Sequence, residues 1–321
     1  MNIWVPRAKI IEPKRALALP TGMGGFFKLE AVKRDGRRRL LADWFPNLIV
    51  DSGLNVIGTS ASWIAACGVG TGNTAPANGQ TSLIAQVATD AGATVNVNGA
   101  QGSAPYFGYT TKTYRFAEGA AEGNLAEIGI GTNGMAALFS RALILDGGGS
   151  PTTITVLADE FLDATYQIRV YPPLVDVTDT INISGVDYDI TMRASSVTSA
   201  GNWSPGGGNV VGTVAGFSAI ATFNGAIGAI TAYPSGAQGT GGVIVNAAYG
   251  NNNLYREATA TWSLADSNLA GGIRCVNAAY GLTVGAGGLG SMQVEFDPPI
   301  PKTSSDVLSL TFRHTWARGT I

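Results

Sequence analysis

The chain has one histidine, His314, two cysteines, Cys67 and Cys275, and 22 acidic residues, so any chemistry would fall to carboxylates. Asp159, Glu160 and Asp163 form one acidic group, and Asp176, Asp179, Asp187 and Asp189 form another. A glycosidase needs two carboxylates facing each other across a cleft. Strand alternation puts Asp187 and Asp189 on one face about Tyr188, and nothing in the sequence marks a cleft there. A calcium site at these acidic turns is no better supported. A lone histidine, without a second histidine or clustered cysteines, argues against zinc. His314 is expected as a hydrogen-bonded interior or interface residue rather than a base. Gly68-Val-Gly-Thr-Gly-Asn-Thr superficially suggests a phosphate loop, but no lysine follows and no helix opens there, so it reads as a turn. The two cysteines, far apart in sequence, read as buried thiols of a protein made in a reducing cytoplasm. No catalytic residue, metal or cofactor is expected, and the chain does not read as an enzyme.

The elements around these residues are β-strands, and one β unit occurs twice. The first copy is Arg141-Ala-Leu-Ile-Leu, a Gly-rich turn, then Pro151 to Tyr171; the second is Met292-Gln-Val-Glu-Phe, a Pro turn, then Ile300 to Trp316. Leu162, Ala164, Tyr166, Ile168 and Val170 line one face of the first long strand; Leu308, Leu310, Phe312, His314 and Trp316 line one face of the second. Period two with an apolar face marks a half-buried antiparallel strand. Upstream, Tyr114-Arg115 and Tyr255-Arg256 each precede an Asn-Leu-Ala segment, at Asn124 and Asn268. Repetition of a β unit is an architectural device, typical of structural and binding proteins.

Composition agrees. Of 321 residues, 44 are Gly and 14 Pro, and only 13% are charged, which favours short strands, tight turns and a largely neutral surface suited to subunit packing. Apolar runs are too short and too broken by Gly for membrane insertion. The stretch Met1-Asn-Ile-Trp-Val-Pro6 shows no basic segment followed by an apolar core, so no signal peptide is expected.

Charge is uneven: residues 1–44 hold 10 of the 20 Lys and Arg but only 4 of the 22 acids. Pro6, Pro13 and Pro20 punctuate residues 1–25, which predicts an extended arm. A basic hairpin follows, turning at Asp35-Gly36, with Arg34 expected opposite Arg37 and Lys33 opposite Arg38. Like charges so opposed call for neutralisation, so Lys33, Arg34, Arg37, Arg38 and Arg39 are candidates for docking into an acidic partner surface. With a net charge of −2 and no groove-reading motif, nucleic acid is not an expected partner.

These features predict an all-β chain of two β-sandwich domains, residues 26–173 and 174–321, as a diverged duplication after the arm. Strands are expected at Tyr106–Glu118, Glu127–Gly131, Leu138–Leu145, Tyr188–Arg193, Gly242–Tyr249 and Ala258–Leu264. One short helix is expected from Ser82, with Leu83, Ile84 and Val87 on one side, and loops at Ser204–Gly208 and Ala237–Gly242.

The ordered set Lys28-Leu-Glu-Ala-Val, Asp35-Gly36, Leu40-Leu-Ala-Asp-Trp-Phe-Pro-Asn-Leu-Ile, Gly68-Val-Gly-Thr-Gly-Asn-Thr-Ala-Pro, Tyr114-Arg-Phe-Ala-Glu-Gly, Ala126-Glu-Ile-Gly and Leu138-Phe-Ser-Arg-Ala resembles a module of tailed-bacteriophage tail-fibre and baseplate proteins over residues 25–173. The resemblance implies a β-rich virion component in the tail, made in the host cytoplasm, oligomeric (a homotrimer is expected), with other tail and baseplate proteins as partners. It brings no catalytic residues. The second half lacks the Gly-Val-Gly-Thr-Gly loop and the Phe-Ser-Arg-Ala motif, so it reads as a diverged copy or a specialised binding domain. A recognition role is the alternative: Trp203, Tyr233, Tyr249, Asn252 and Tyr255 are candidate contacts to a host surface glycan or pilus, or to another subunit.

Overall fold

Alternating apolar and polar residues produce strands almost throughout. The computed structural model describes residues 9–11, 15–60, 62–205, 216–281 and 288–319. In chain order its elements are β1 (Lys9–Ile11), β2 (Leu17–Lys33), β3 (Arg38–Pro46), β4 (Leu48–Ile49), helix α1 (Asp51–Thr59), β5 (Ala66–Gly70), β6 (Gln86–Asp90), β7 (Ala93–Ala100), β8 (Gly108–Phe116), β9 (Gly123–Leu125), β10 (Glu127–Gly131), β11 (Leu138–Leu143), β12 (Ile154–Val156) and β13 (Glu160–Tyr171). They continue with β14 (Val177–Ile183), β15 (Val186–Ala194), helix α2 (Ala200–Trp203), β16 (Gly216–Phe223), β17 (Val243–Asn246), β18 (Tyr255–Trp262), β19 (Ile273–Gly281), β20 (Gly288–Ile300) and β21 (Asp306–Arg318). The fold is all-β.

One large sheet runs β17-β18-β21-β2-β13-β8-β7, with β1 added along β21 and β3 along β2. Two five-stranded sheets, β4-β11-β10-β5-β6 and β14-β15-β20-β19-β16, complete the frame, with a β9–β12 ribbon. The alternating face of β13 is buried beside that of β21, and both belong to one continuous core. Tyr280 of β19 stacks on His314 of β21 at 4.0 Å, and Phe217 of β16 meets Phe312 at 6.1 Å, so the second small sheet lies on the β21 side. On the other side Trp63 packs on Phe139 of β11 at 4.8 Å, and Asn47 donates to the Tyr166 hydroxyl of β13.

The two halves repeat one arrangement. A small-sheet strand, a helix, a second small-sheet strand, an edge strand of the large sheet and its neighbour are followed by two small-sheet strands and a long large-sheet strand. In the first unit these are β4, α1, β5, β7, β8, β10, β11 and β13; in the second, β15, α2, β16, β17, β18, β19, β20 and β21. Thr113 and Thr165 bond hydroxyl to hydroxyl across β8–β13 at 3.0 Å, and Thr259 and Thr311 do so across β18–β21 at 3.0 Å. Each residue of the second pair lies 146 positions after its counterpart. The same spacing relates Phe116 opposite Leu162 to Trp262 opposite Leu308. The structural counterparts of Tyr114 and Arg115 are therefore Ala260 and Thr261, not Tyr255 and Arg256.

Several expectations change. The division at residue 173 does not separate two sets of strands, because β2 of the first unit pairs in parallel with β21 of the second, Leu17 to Phe312 through Met23 to Arg318. Residues 17–25 are not a projecting arm but the first half of β2. Pro20 is tolerated there because the strand is bonded to β21 alone until its pairing with β13 begins at Gly22. Residues 1–8 and 12–14 of that expected arm, and 206–208 of the expected loop after Ser204, lie outside the described residues. The expected helix from Ser82 is irregular chain leading into β6: Leu83 is buried, whereas Ile84 and Val87 are exposed, so the three share no face.

Candidate functional site

The β2–β3 hairpin turns through three residues, Arg34 to Gly36, with Gly36 at φ +88°. Lys33 donates to and accepts from its neighbours at the turn's base, the Arg37 carbonyl and the Gly36 N–H, at 2.9 Å each. The two-residue turn that would set Arg34 against Arg37 is thereby replaced: the register runs Val32–Arg38 and Ala31–Arg39, because glycine alone takes the left-handed bulge position without strain. Each candidate docking cation has an internal partner. Lys33 binds Asp159, Arg34 binds Glu118, Arg37 binds Asp35, Arg38 binds Glu30 and Asp163, and Arg39 binds Glu160. Arg115 adds a second cation on Asp163, at 2.6 Å. With Lys28 3.8 Å from Glu30, seven cations thus meet six carboxylates, so most of the hairpin's positive charge is neutralised within the chain. Side-chain and backbone hydrogen bonds from Arg37 hold the Asp35 carboxyl below its ordinary range, and Lys33 does the same for Asp159. Arg34 and Arg37 remain largely exposed, and Lys33, Arg34, Arg38, Arg115 and Phe161 line an open cleft of about 370 Å³. On sequence grounds, changing Arg37, Arg38 and Arg39 together to Ser should leave folding intact. Arg38 and Arg39, however, serve Asp163 and Glu160, whose side chains are each only 2% exposed, so the triple change is expected to cost stability.

The motif residues of the first half converge on a buried ion pair. Arg141 Nε donates to Glu127 Oε2 at 2.7 Å, with both side chains fully inaccessible. Glu127 also accepts backbone N–H bonds from Gly72, Ile84 and Ala85, and Arg141 reaches Gln80 at 3.1 Å. Burial alone would raise the Glu127 pKa, but these N–H groups and Arg141 outweigh it and hold it below the ordinary range. Gly70 and Gly72 permit the close approach: a Cβ at either would lie within 2.7 Å of Glu127 Oε1. The Gly-rich segment, expected as a turn, instead begins as β5 within the first small sheet, and the loop clamped over it is the Ile84–Ala85 stretch bonded to Glu127. No family model, curated protein or solved structure matches this chain.

The second unit lacks that pair and clamps its loop differently. Gln293 of β20, fully buried, accepts from the Gly228 N–H at 2.8 Å and donates to the carbonyls of Ala194, Gly228 and Ala229. Of the candidate recognition residues, Trp203 is buried, its indole donating to the Ser195 carbonyl at 2.8 Å. Tyr249 stacks on Trp316 at 5.9 Å and donates to Asn55 of α1 at 2.9 Å, so it joins the two units rather than facing outward. The Asn252 N–H donates to the same Asn55 side chain, and Tyr255 lies under the Arg313 guanidinium at 4.1 Å. Tyr233 is half-exposed, its hydroxyl held by Asn202 at 2.7 Å. Trp203 and Tyr249, candidates on sequence grounds for receptor or subunit contacts, thus pack on other segments of the same chain.

The remaining chemical candidates are occupied structurally. His314 is buried, its Nε2 within 3.2 Å of Thr21 and 3.1 Å of the Leu289 carbonyl, and burial drives its pKa down to about 3. Asp176 pairs with Arg193 and Asp179 with Arg15, while Asp187 and Asp189 accept from Asn182 and Thr180 on β14. Among the described residues no group of three His, Cys, Asp or Glu is placed to hold a metal ion. Burial pushes the Cys275 thiol up to about 12 and raises Cys67 well above its usual value. Sequence reading missed Lys112, on the inward face of β8. Its ammonium reaches the Ile64 carbonyl at 3.3 Å, and desolvation lowers its pKa to about 8.

Proposed function

We propose that this chain is a structural subunit of a multi-copy β assembly, a tail-fibre or baseplate component of a tailed-bacteriophage virion that packs against further copies of itself. The phage setting rests on the resemblance carried by the first-half motifs. The assembly rests on the ends of the large sheet. Among the described strands β7 is paired only with β8, and β17 only with β18, so these two strands end the large sheet. Neither strand contains a charged residue or a proline. Both expose valines, Val95 and Val97 on one and Val243 and Val245 on the other. Monomeric proteins guard such edges with Lys, Pro, bulges or covering segments. The single register shift of β7 falls between Ala93 and Val95, leaving the rest regular. Since β7 and β17 are counterparts in the repeat and run in opposite directions, β7 of one copy can pair antiparallel with β17 of the next. Closure of such head-to-tail contacts gives a ring, a trimer being the expected size.

The largely neutralised hairpin gives docking little electrostatic drive, so Arg34 and Arg37 are the cations that remain for contact with other tail proteins. Sedimentation of the full chain at micromolar concentration tests the assembly. A multi-copy species that becomes monomeric in the Val97→Lys, Val245→Lys variant is expected. A monomeric wild type, or assembly unaffected by both lysines, would refute the edge-pairing reading.

A further inference from the structure

The second unit differs from the first in what covers its small sheet. In the first unit the clamped loop seats Leu83 and Ala85 over Gly68, Gly70 and Gly129. In the second unit the loop held by Gln293 leaves part of the outward face of β16 and β19 uncovered by the described residues. There Ala219 pairs with Ala279 and Ala221 with Asn277, giving a flat floor of small side chains. Around it stand Asn202, Ser218, Phe223, Tyr233 and Gln238, enclosing an open cleft of about 430 Å³. That volume lies within the range of small-ligand sites, about 300–1,000 Å³.

We infer that this cleft binds a neutral saccharide unit. Among the described lining residues no side chain carries a charge, so neither phosphate nor a carboxylated or sulfated sugar finds a counter-ion in them. The polar groups are amides and hydroxyls, which both donate and accept, as sugar hydroxyls do. Tyr233 is 51% exposed with its hydroxyl fixed by Asn202, presenting a ring on which the C–H face of a pyranose can stack. Asn277 is pre-organised: Ser195 donates to its Oδ1 at 2.6 Å and its Nδ2 donates to Ser291 at 3.3 Å, leaving one amide hydrogen for the cleft. Gln238, an exposed residue, adds a further amide to the lining of the cleft. The inference is independent of the assembly reading, since the cleft lies on the second small sheet and the end strands on the large one. It also moves recognition from Trp203, which is buried, and Tyr249, which is partly buried against Trp316, to Tyr233 and the amides beside it.

The test uses the full chain with neutral hexasaccharides of glucose, galactose, mannose and N-acetylglucosamine, and a sulfated oligosaccharide as control, followed by ligand-observed NMR and calorimetry. Saturable binding of at least one neutral sugar is expected, weakened at least tenfold by Tyr233→Ala and abolished by Ala221→Arg, with no binding of the sulfated control. Absence of saturable binding to all four neutral sugars would overturn the inference. So would binding unchanged in both variants, preference for the sulfated control, or protection of Tyr233 only when copies assemble, which would make the cleft a subunit contact. Ala221 lies on the outward face, so the melting transition of Ala221→Arg checks that the chain remains folded.

Discussion

The first unit secures its surface loop with a buried ion pair, Glu127 and Arg141; the second secures the corresponding loop with one buried amide, Gln293. The scaffold is the same and so is the task, which is to satisfy backbone N–H and C=O groups that the loop buries against the small sheet. The consequence differs. The charged clamp holds residues as far apart as Gly72 and Ala85 and closes the first face. The neutral clamp gathers its bonds about Gly228 and leaves the neighbouring cleft open. A second contrast lies inside: where β8 carries buried Lys112, the equivalent position of β18, 146 residues on, is Ala258. The first unit thus buries charge in its small sheet and under β8, whereas the buried cation of the second, Lys302, is held by the Ser263 and Asp266 carbonyls and the Asn268 side chain and does not line the cleft.

The sharpest way to break this contrast is to remove each clamp. Glu127→Gln leaves the Arg141 guanidinium buried without its counter-charge and should cost about 3–5 kcal/mol in denaturant unfolding. Gln293→Leu leaves neutral groups unpaired and should cost about 1–3 kcal/mol. Equal losses would mean that the two clamps are equivalent. The pH dependence follows from the lowered Glu127 pKa. Its contribution is present above the unfolded value, about 4.3, and is lost as pH falls through the lower folded value. Amide exchange at Gly72, Ile84 and Ala85 should therefore accelerate on acidification relative to Gly228.

A smaller effect should come from Lys112. Its folded pKa, lowered to about 8, lies below the unfolded value, about 10.4, so between them the unfolded chain binds more protons and stability should rise with pH. Lys112→Met, which gives the first unit an apolar residue as in the second, should flatten that rise and stabilise the chain at neutral pH by about 1–2 kcal/mol. A variant that keeps the alkaline rise would show that another group causes it.

Much of this frame is legible in the sequence, and the reasons for the rest are physical. Period two exposes β13 and β21, because each has one apolar face and the other face is Thr, Gln, Ser and Arg. The pairing of β2 with β21 is not legible, since it joins residues at opposite ends of the chain through backbone bonds that leave no side-chain pattern. The Ser82 segment shows apolar residues at helical spacing, yet its conformation is dictated by a carboxylate more than forty residues away, on Glu127. At the hairpin, Asp35-Gly36 announces a turn but not its length, and the extra residue shifts which cations oppose one another. Of the recognition residues, Tyr233 alone keeps a half-exposed ring beside the cleft; Trp203 is buried with its indole on the Ser195 carbonyl, and Tyr249 is partly covered through Asn55, 194 residues away.

The most direct measurement is hydrogen exchange of the backbone amides of β7 and β17 in the full chain at concentrations where it sediments as a multi-copy species. Edge pairing between copies predicts protection of both strands comparable to that of β8 and β18, lost on dilution to the monomer. Fast exchange of β7 and β17 at every concentration, with β8 and β18 protected, would contradict assembly through the ends of the large sheet.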